Sequence, residues 1–244
     1  MRSILYFLII SVLFLNSCET RPKKKILYID SETQSDETNQ IVEDTTLMLV
    51  GELPIYFDST NYLVFPVGKI QLEANDRERG SYLRSDDYSN SGSSSLGYLT
   101  GYSYRGSLTN IYVQNIDSSV VRPLVTKTLK IRDFQFLESV RKSTGKDVLL
   151  LNITDIDTNN DKQLNNLDLG TLYLATLDGN VFKKLTKEYH QLRNWKLLSI
   201  NNRVYFNTME DVDKNGDFNN EDVVHYYFAE LESSNFEVVE YNIF

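Results

Sequence analysis

The sequence predicts an all-β fold, built from antiparallel repeats between residues 47 and 244. Three observations carry this. Apolar and aromatic runs of about four to eight residues recur, rich in Val, Ile, Tyr and Phe and separated by Asp, Asn, Gly and Ser, which is strand-and-turn texture. They read LMLV, YLVFPV, NIYVQNI, KDVLLLNI, TLYLATL, RVYFNT, VHYYFAEL and FEVVEYNIF. A strand-turn-strand pattern occurs three times. Two acidic loops precede its second and third copies in the same phase.

The first element is a leader. Arg2 supplies a short positive region, and Ile4 to Leu15 is apolar except for Ser11. That run suits a signal peptide and is shorter than the ~20 residues a bilayer-spanning helix needs. Leu15-Asn16-Ser17-Cys18 then resembles the lipobox of bacterial lipoproteins, although Asn16 departs from the commoner small residue. The resemblance implies removal of residues 1–17, lipid on the Cys18 thiol and a membrane as partner. Cys18 is the single cysteine, so no intrachain disulfide is expected. Several acyl methylenes at ~0.8 kcal/mol each make such an anchor durable. Glu19 follows Cys18, whereas Asp there resembles an inner-membrane retention signal; the expected location is the cell envelope at the outer membrane, with the face open.

Residues 18–46 form the second element, a tether. Arg21, Lys23, Lys24 and Lys25 either touch anionic headgroups or stay solvated, and residues 30 to 46 are acidic and nearly free of large apolar side chains. The net charge of −9 argues against nucleic acid as a partner and for cations or plain solubility.

The third element is the repeat domain, residues 47–244. Its units are Ile111 to Ser118 followed by Arg122-Pro123-Leu124, Leu172 to Gly179 followed by Lys183 to Thr186, and Tyr226 to Ser233 followed by Phe236 to Val239. Each reads as a strand, a tight Asp-Gly or Asp-Ser turn, and a returning strand. Aromatic strands follow the first two, at Arg132–Phe136 and Arg193–Leu197. The pattern resembles the blade repeat of TolB-like and WD40-like β-propellers, best at Leu172 to Thr186. The resemblance implies a partial or small propeller-like array of three blades. A fourth would have to come from Lys25–Ile29 and Leu47–Phe57, since closed propellers typically have at least four.

The acidic loops carry the chemistry. In Asp211 to Asp222, side-chain oxygens fall at positions 1, 3 and 5 (Asp211, Asp213, Asn215), with Gly216 at the sharp turn. Asp217 offers its carbonyl at position 7, Asn219 stands at 9 and Asp222 at 12. This spacing wraps six to eight oxygens around Ca²⁺. In the other loop the same places are held by Asp157, Asn159, Asp161, Gln163, Asn165 and Asp168, but Lys162 replaces the glycine. Asp155 offers an alternative register. Both loops end in Asp and so resemble the dockerin-type variant of the EF-hand loop, which implies calcium as cofactor. Tyr173 stands as far beyond Asp168 as Tyr227 beyond Asp222. Each loop is therefore expected to join neighbouring strands of one sheet, against the helix that Asn220 to Leu231 alone suggests.

The Ser-, Gly- and Tyr-rich insertion Gly80 to Asn110 reads as an edge loop or a stacking surface for a sugar or peptide. His190 and His225 have no metal or triad partners in recognisable spacing, and G-x-S-x-G, H-E-x-x-H and P-loop patterns do not occur. The sequence thus favours a calcium-binding envelope lipoprotein acting as a non-enzymatic binding or scaffold module, with an unidentified protein or glycan partner. The alternatives are a glycan-binding adhesin and a hydrolase on a propeller-like scaffold.

Overall fold

The computed structural model describes residues 24–28, 41–42, 44–72, 83–84 and 96–244. The lipobox and Cys18 lie outside them, as does most of the stretch from Gly80 to Ser95. In chain order the strands are β1 (Leu47–Gly51), β2 (Ile55–Tyr56), β3 (Tyr62–Leu72), β4 (Leu83–Arg84), β5 (Gly97–Thr100), β6 (Ser103–Leu108), β7 (Asn110–Asn115) and β8 (Val121–Pro123). There follow β9 (Lys130–Phe136), β10 (Val148–Thr154), β11 (Thr171–Thr176), β12 (Phe182–Lys184), β13 (His190–Leu198), β14 (Arg203–Glu210), β15 (Val223–Glu230) and β16 (Val238–Tyr241). The helix α1 (Glu138–Thr144) lies between β9 and β10 and closes on Gly145, whose φ of 77° lets its N–H reach the Arg141 carbonyl at 2.9 Å.

Three antiparallel sheets result. The first runs β1-β3-β7-β8 with β2 and β4 added to β3, the second β12-β11-β10-β9-β6-β5, and the third β13-β14-β15-β16. The three sequence repeats are the hairpins β7–β8, β11–β12 and β15–β16. The aromatic strands after the first two are β9 and β13. The fold is thus all-β, with three blade-like antiparallel repeats. Among the described residues there is no fourth sheet: β1 joins the first, and Lys25 makes one bridge, to Asp217. No helix of the described residues is long and apolar enough to cross a membrane.

The unbroken run VLLL in β10 explains the layering. Successive strand side chains point to opposite faces. Leu149, Leu151 and Ile153 enter one core with Ile111, Val113, Phe134 and Phe136, while Val148 and Leu150 enter a second with Val204, Phe206, Tyr227 and Phe236. β11 splits likewise, with Tyr173 and Ala175 on one side and Leu172 and Leu174 on the other. The middle sheet is apolar on both faces and the outer two on one. The Tyr-rich insertion contributes β5 and β6 to this middle sheet, where Tyr104 is buried and stacks on Phe134 at 5.3 Å.

Candidate functional site

Each acidic loop crosses the same end of a strand pair. The first leaves β10 and returns as β11, paired with it from Val148↔Thr176 to Ile153↔Thr171. The second leaves β14 and returns as β15, paired from Arg203↔Glu230 to Glu210↔Val223. Residues Val223–Glu230 are strand rather than helix because Tyr227 and Ala229 fill the second core at strand spacing.

The two loops share a hydrogen-bond pattern position by position. At position 1, Asp157 Oδ2 accepts the Lys162 N–H at 2.6 Å and Asp211 Oδ2 the Gly216 N–H at 2.7 Å. At position 12, Asp168 Oδ2 accepts from Asn165 N–H and Asp222 Oδ2 from Asn219 N–H, at 2.9 and 2.7 Å. The other oxygen of each accepts from position 2, Thr158 or Val212. At position 3, Asn159 and Asp213 accept from the backbone of position 5, and the side chains of Asp161 and Asn215 accept from the backbone of Gln163 and Asp217. Asn165 and Asn219 each accept from two residues onward. Positions 4 and 6 have positive φ in both loops, Asn160 and Lys162 in one and Lys214 and Gly216 in the other.

The second loop gathers its carboxylates more closely. One oxygen each from Asp211, Asp213 and Asp222 lies within 4.8 Å of the others. Asp211 is 4% exposed, and its Oδ1 is buried without a hydrogen-bond partner. A buried carboxylate oxygen left so costs stability unless a cation or donor meets it. The Tyr28 hydroxyl stands beside this carboxylate, and burial, then Asp211, push its proton loss upward.

In the first loop Asp161 Oδ2 is tied by the amides of Asn159 and Asn165, at 3.1 and 2.8 Å, and in the second Asp213 Oδ2 is tied by that of Asn215, at 2.7 Å. Asp168 is fully buried, and burial, aided by the charge of Asp157, raises its pKa. Asp155 does not shift the register. It lies just beyond β10 and turns back onto the sheet, where Oδ2 accepts from the Tyr173 hydroxyl at 2.6 Å and the Lys184 ammonium at 2.9 Å. Lys162 takes position 6 at φ 65° without glycine's freedom. Lys162→Gly is therefore expected to stabilise the chain by about 1 kcal/mol, the scale of the left-handed penalty for an L-residue. A urea midpoint below that of the parent would contradict it.

The chain upstream of the domain is tied to both loops. Ile26, 2% exposed, donates its N–H to the Gly216 carbonyl at 2.9 Å, and Leu27 donates to the Thr158 carbonyl at 2.8 Å. Val42 donates to the Lys162 carbonyl at 2.9 Å. The Lys24 ammonium reaches Gln191 Oε1 at 3.1 Å. Burial, with the Arg132 charge, pushes its pKa down to about 7. The sequence offered Lys25–Ile29 as a candidate blade strand but did not mark this docking, because Lys24 and Lys25 read as part of a charged tether.

A third cluster also escaped the sequence. His190, Glu210 and His225 stand on the adjacent strands β13, β14 and β15, with ligand atoms within 4.8 Å of one another. His190 pairs with Glu210 across one strand boundary and His225 with Thr208 across the next. Only the strand register brings them together.

No protein-family model matches the chain, and no curated protein matches it. Among solved structures the chain is similar to one described as "The structure of putative TolB from Agrobacterium tumefaciens", at 10% identity, over 78% of this chain and 80% of that one, with a TM-score of 0.22. A superposition that loose carries no argument about this chain.

Proposed function

We propose that this chain is a calcium-binding lipoprotein of the bacterial cell envelope, anchored by lipid on Cys18, in which calcium is structural and the repeat domain is a binding or scaffold module. The observation that supports calcium is the second loop. Three carboxylates converge there, and a buried oxygen of Asp211 has no partner. Like charges this close repel, and a divalent cation held by Asp211, Asp213, Asn215, Asp222 and the Asp217 carbonyl would neutralise them. The first loop would hold a second ion through Asp157, Asn159, Asp161, Asp168 and the Gln163 carbonyl. Both loops are bonded to the chain before β1, through Ile26, Leu27 and Val42. Filling them would stiffen the junction between anchor and domain. A glycan reading draws less support, since Tyr102 and Tyr104 are spent on packing against Phe136 and Phe134.

The test is a melting experiment on the full chain in detergent. At calcium about a hundredfold above Kd, each site is expected to add about 2.7 kcal/mol, seen as a higher Tm that EDTA reverses. An affinity in the ~10⁻⁴–10⁻³ M range of extracellular modules is expected. An unchanged Tm would remove calcium from the proposal. The anchor is tested separately: Cys18→Ser is expected to move the protein out of the membrane fraction.

A further inference from the structure

We propose that His190, His225 and Glu210 form a binding site for one divalent transition-metal ion of the zinc class, distinct from the calcium loops. The chain has two histidines, and the fold places both against one carboxylate oxygen. His225 Nε2 lies 2.8 Å from Glu210 Oε2, and His190 Nε2 lies 3.9 Å from the same oxygen. Ligands around a tetrahedral zinc, with bonds of ~2.0–2.2 Å, stand about 3.3 Å apart, between these two distances. Two imidazoles and one carboxylate also leave positions open for water or a substrate group.

The surroundings of the rings point the same way. A metal-bound histidine is normally held through its other nitrogen by a hydrogen-bonded neighbour. His190 Nδ1 meets Thr208 Oγ1 at 3.0 Å, and His225 Nδ1 meets Glu240 Oε1 at 2.8 Å. Glu240 is itself held by Lys187 at 2.9 Å. A carboxylate only accepts, so the Nδ1 of His225 carries a proton. By the same rule the Nε2 of His225, 2.8 Å from the Glu210 carboxylate, needs either a proton or a metal ion between the two. His190 is buried, at 7% exposed. Each ring therefore directs Nε2 inward while Nδ1 is occupied. The alternative is a proton, which would make His225 an imidazolium bridging Glu210 and Glu240.

The experiment titrates the full chain in detergent, with calcium held in excess so that the acidic loops are filled, first with Co²⁺ and then with Zn²⁺. One equivalent of Co²⁺ is expected to give the visible d–d absorption of a low-coordinate nitrogen and oxygen site, and one equivalent of Zn²⁺ to abolish it. With Zn²⁺, the ¹⁵N resonances of both Nε2 atoms should shift together while both Nδ1 atoms stay protonated. His225→Ala and Glu210→Gln should each weaken Co²⁺ at least a hundredfold. Thr208→Val, which changes no ligand, should weaken it about 10- to 100-fold. His225 is half-buried, so retention of fold in His225→Ala is checked by far-ultraviolet circular dichroism. Absent absorption at one equivalent, an unchanged titration in His225→Ala, or a His225 ring still protonated on both nitrogens under Zn²⁺ would each overturn the site. Because calcium is present throughout, failure here leaves the proposal for the loops standing, and the Tm shift by calcium tests that alone.

Discussion

Asp155→Ala is expected to cost about 3–5 kcal/mol of folding stability, the range for removing one partner from a buried, hydrogen-bonded charge pair. Asp155 is 8% exposed and lies just beyond β10. Its carboxylate accepts from the Tyr173 hydroxyl, the Lys184 ammonium and Thr171 Oγ1, at 2.6, 2.9 and 3.2 Å. Removing it strands a largely buried ammonium and a buried phenol. Adding Lys184→Met to Asp155→Ala should recover part of the loss, because the stranded charge goes too. Burial works against this carboxylate's charge, but the bonds from Tyr173 and Lys184 and the charge of Lys127 outweigh it and hold its pKa below 3.8. Its stabilisation is therefore fully present above 3.8 and lost as pH falls through the lower folded value. Urea midpoints of parent and variant should differ most at neutral pH and converge in acid. A loss under about 1 kcal/mol at neutral pH, the scale of an exposed pair, would show that Asp155 is solvated.

The effect reaches the first acidic loop, because Asp155 fixes where the sheet ends and the loop begins. With Asp155 bound to β11 and β12, Asp157 is the first residue free to turn its side chain inward, and Asp157 does accept from Lys162 and Asp161. The sequence left this register open between two aspartates. It became settled only where the lysine of a third strand met one of them.

Other features divide along the same line between local and long-range information. The hairpin repeats were legible because a strand, a turn and a return are adjacent in the chain. The matching turns of the two acidic loops were legible because the side chains that bond them fall within a dozen residues. β5 and β6 were not, since Ser and Gly there mask a hairpin that is strand only because it pairs with β9. Gly97 faces Gly106 in that hairpin, and a Cβ at either would strike the opposite backbone. The His190, Glu210 and His225 cluster needed the register of three strands, of which no single segment holds a trace. Docking of Lys24–Tyr28 needed both loops in place before a partner existed for it.

Gly216→Ala is expected to undo the second loop and the docked segment together. Gly216 sits at φ 83°, and an added Cβ would run into the carbonyl oxygen of Ile26. An L-residue in the left-handed region costs roughly 1–2 kcal/mol, before the clash is counted. Since 1.4 kcal/mol is tenfold in affinity, calcium at this loop should weaken about ten- to a hundredfold. The first loop provides the internal control. Lys162 already occupies the equivalent position at φ 65°, with Val42 rather than Ile26 bonded to its carbonyl. Ile26 is buried, and its N–H is satisfied by the Gly216 carbonyl. Displacing it should release the segment from its backbone bonds to the loops, so trypsin is expected to cut after Lys24 and Lys25 faster in Gly216→Ala than in the parent when both are in calcium. EDTA should bring the parent toward the rate of the variant. If both proteins are cut equally slowly, the docked segment holds independently of the loop; if EDTA leaves the parent unchanged, the loop holds its shape without an ion. The residue that lets the loop turn is thus also the one against which Ile26 and the segment around it rest.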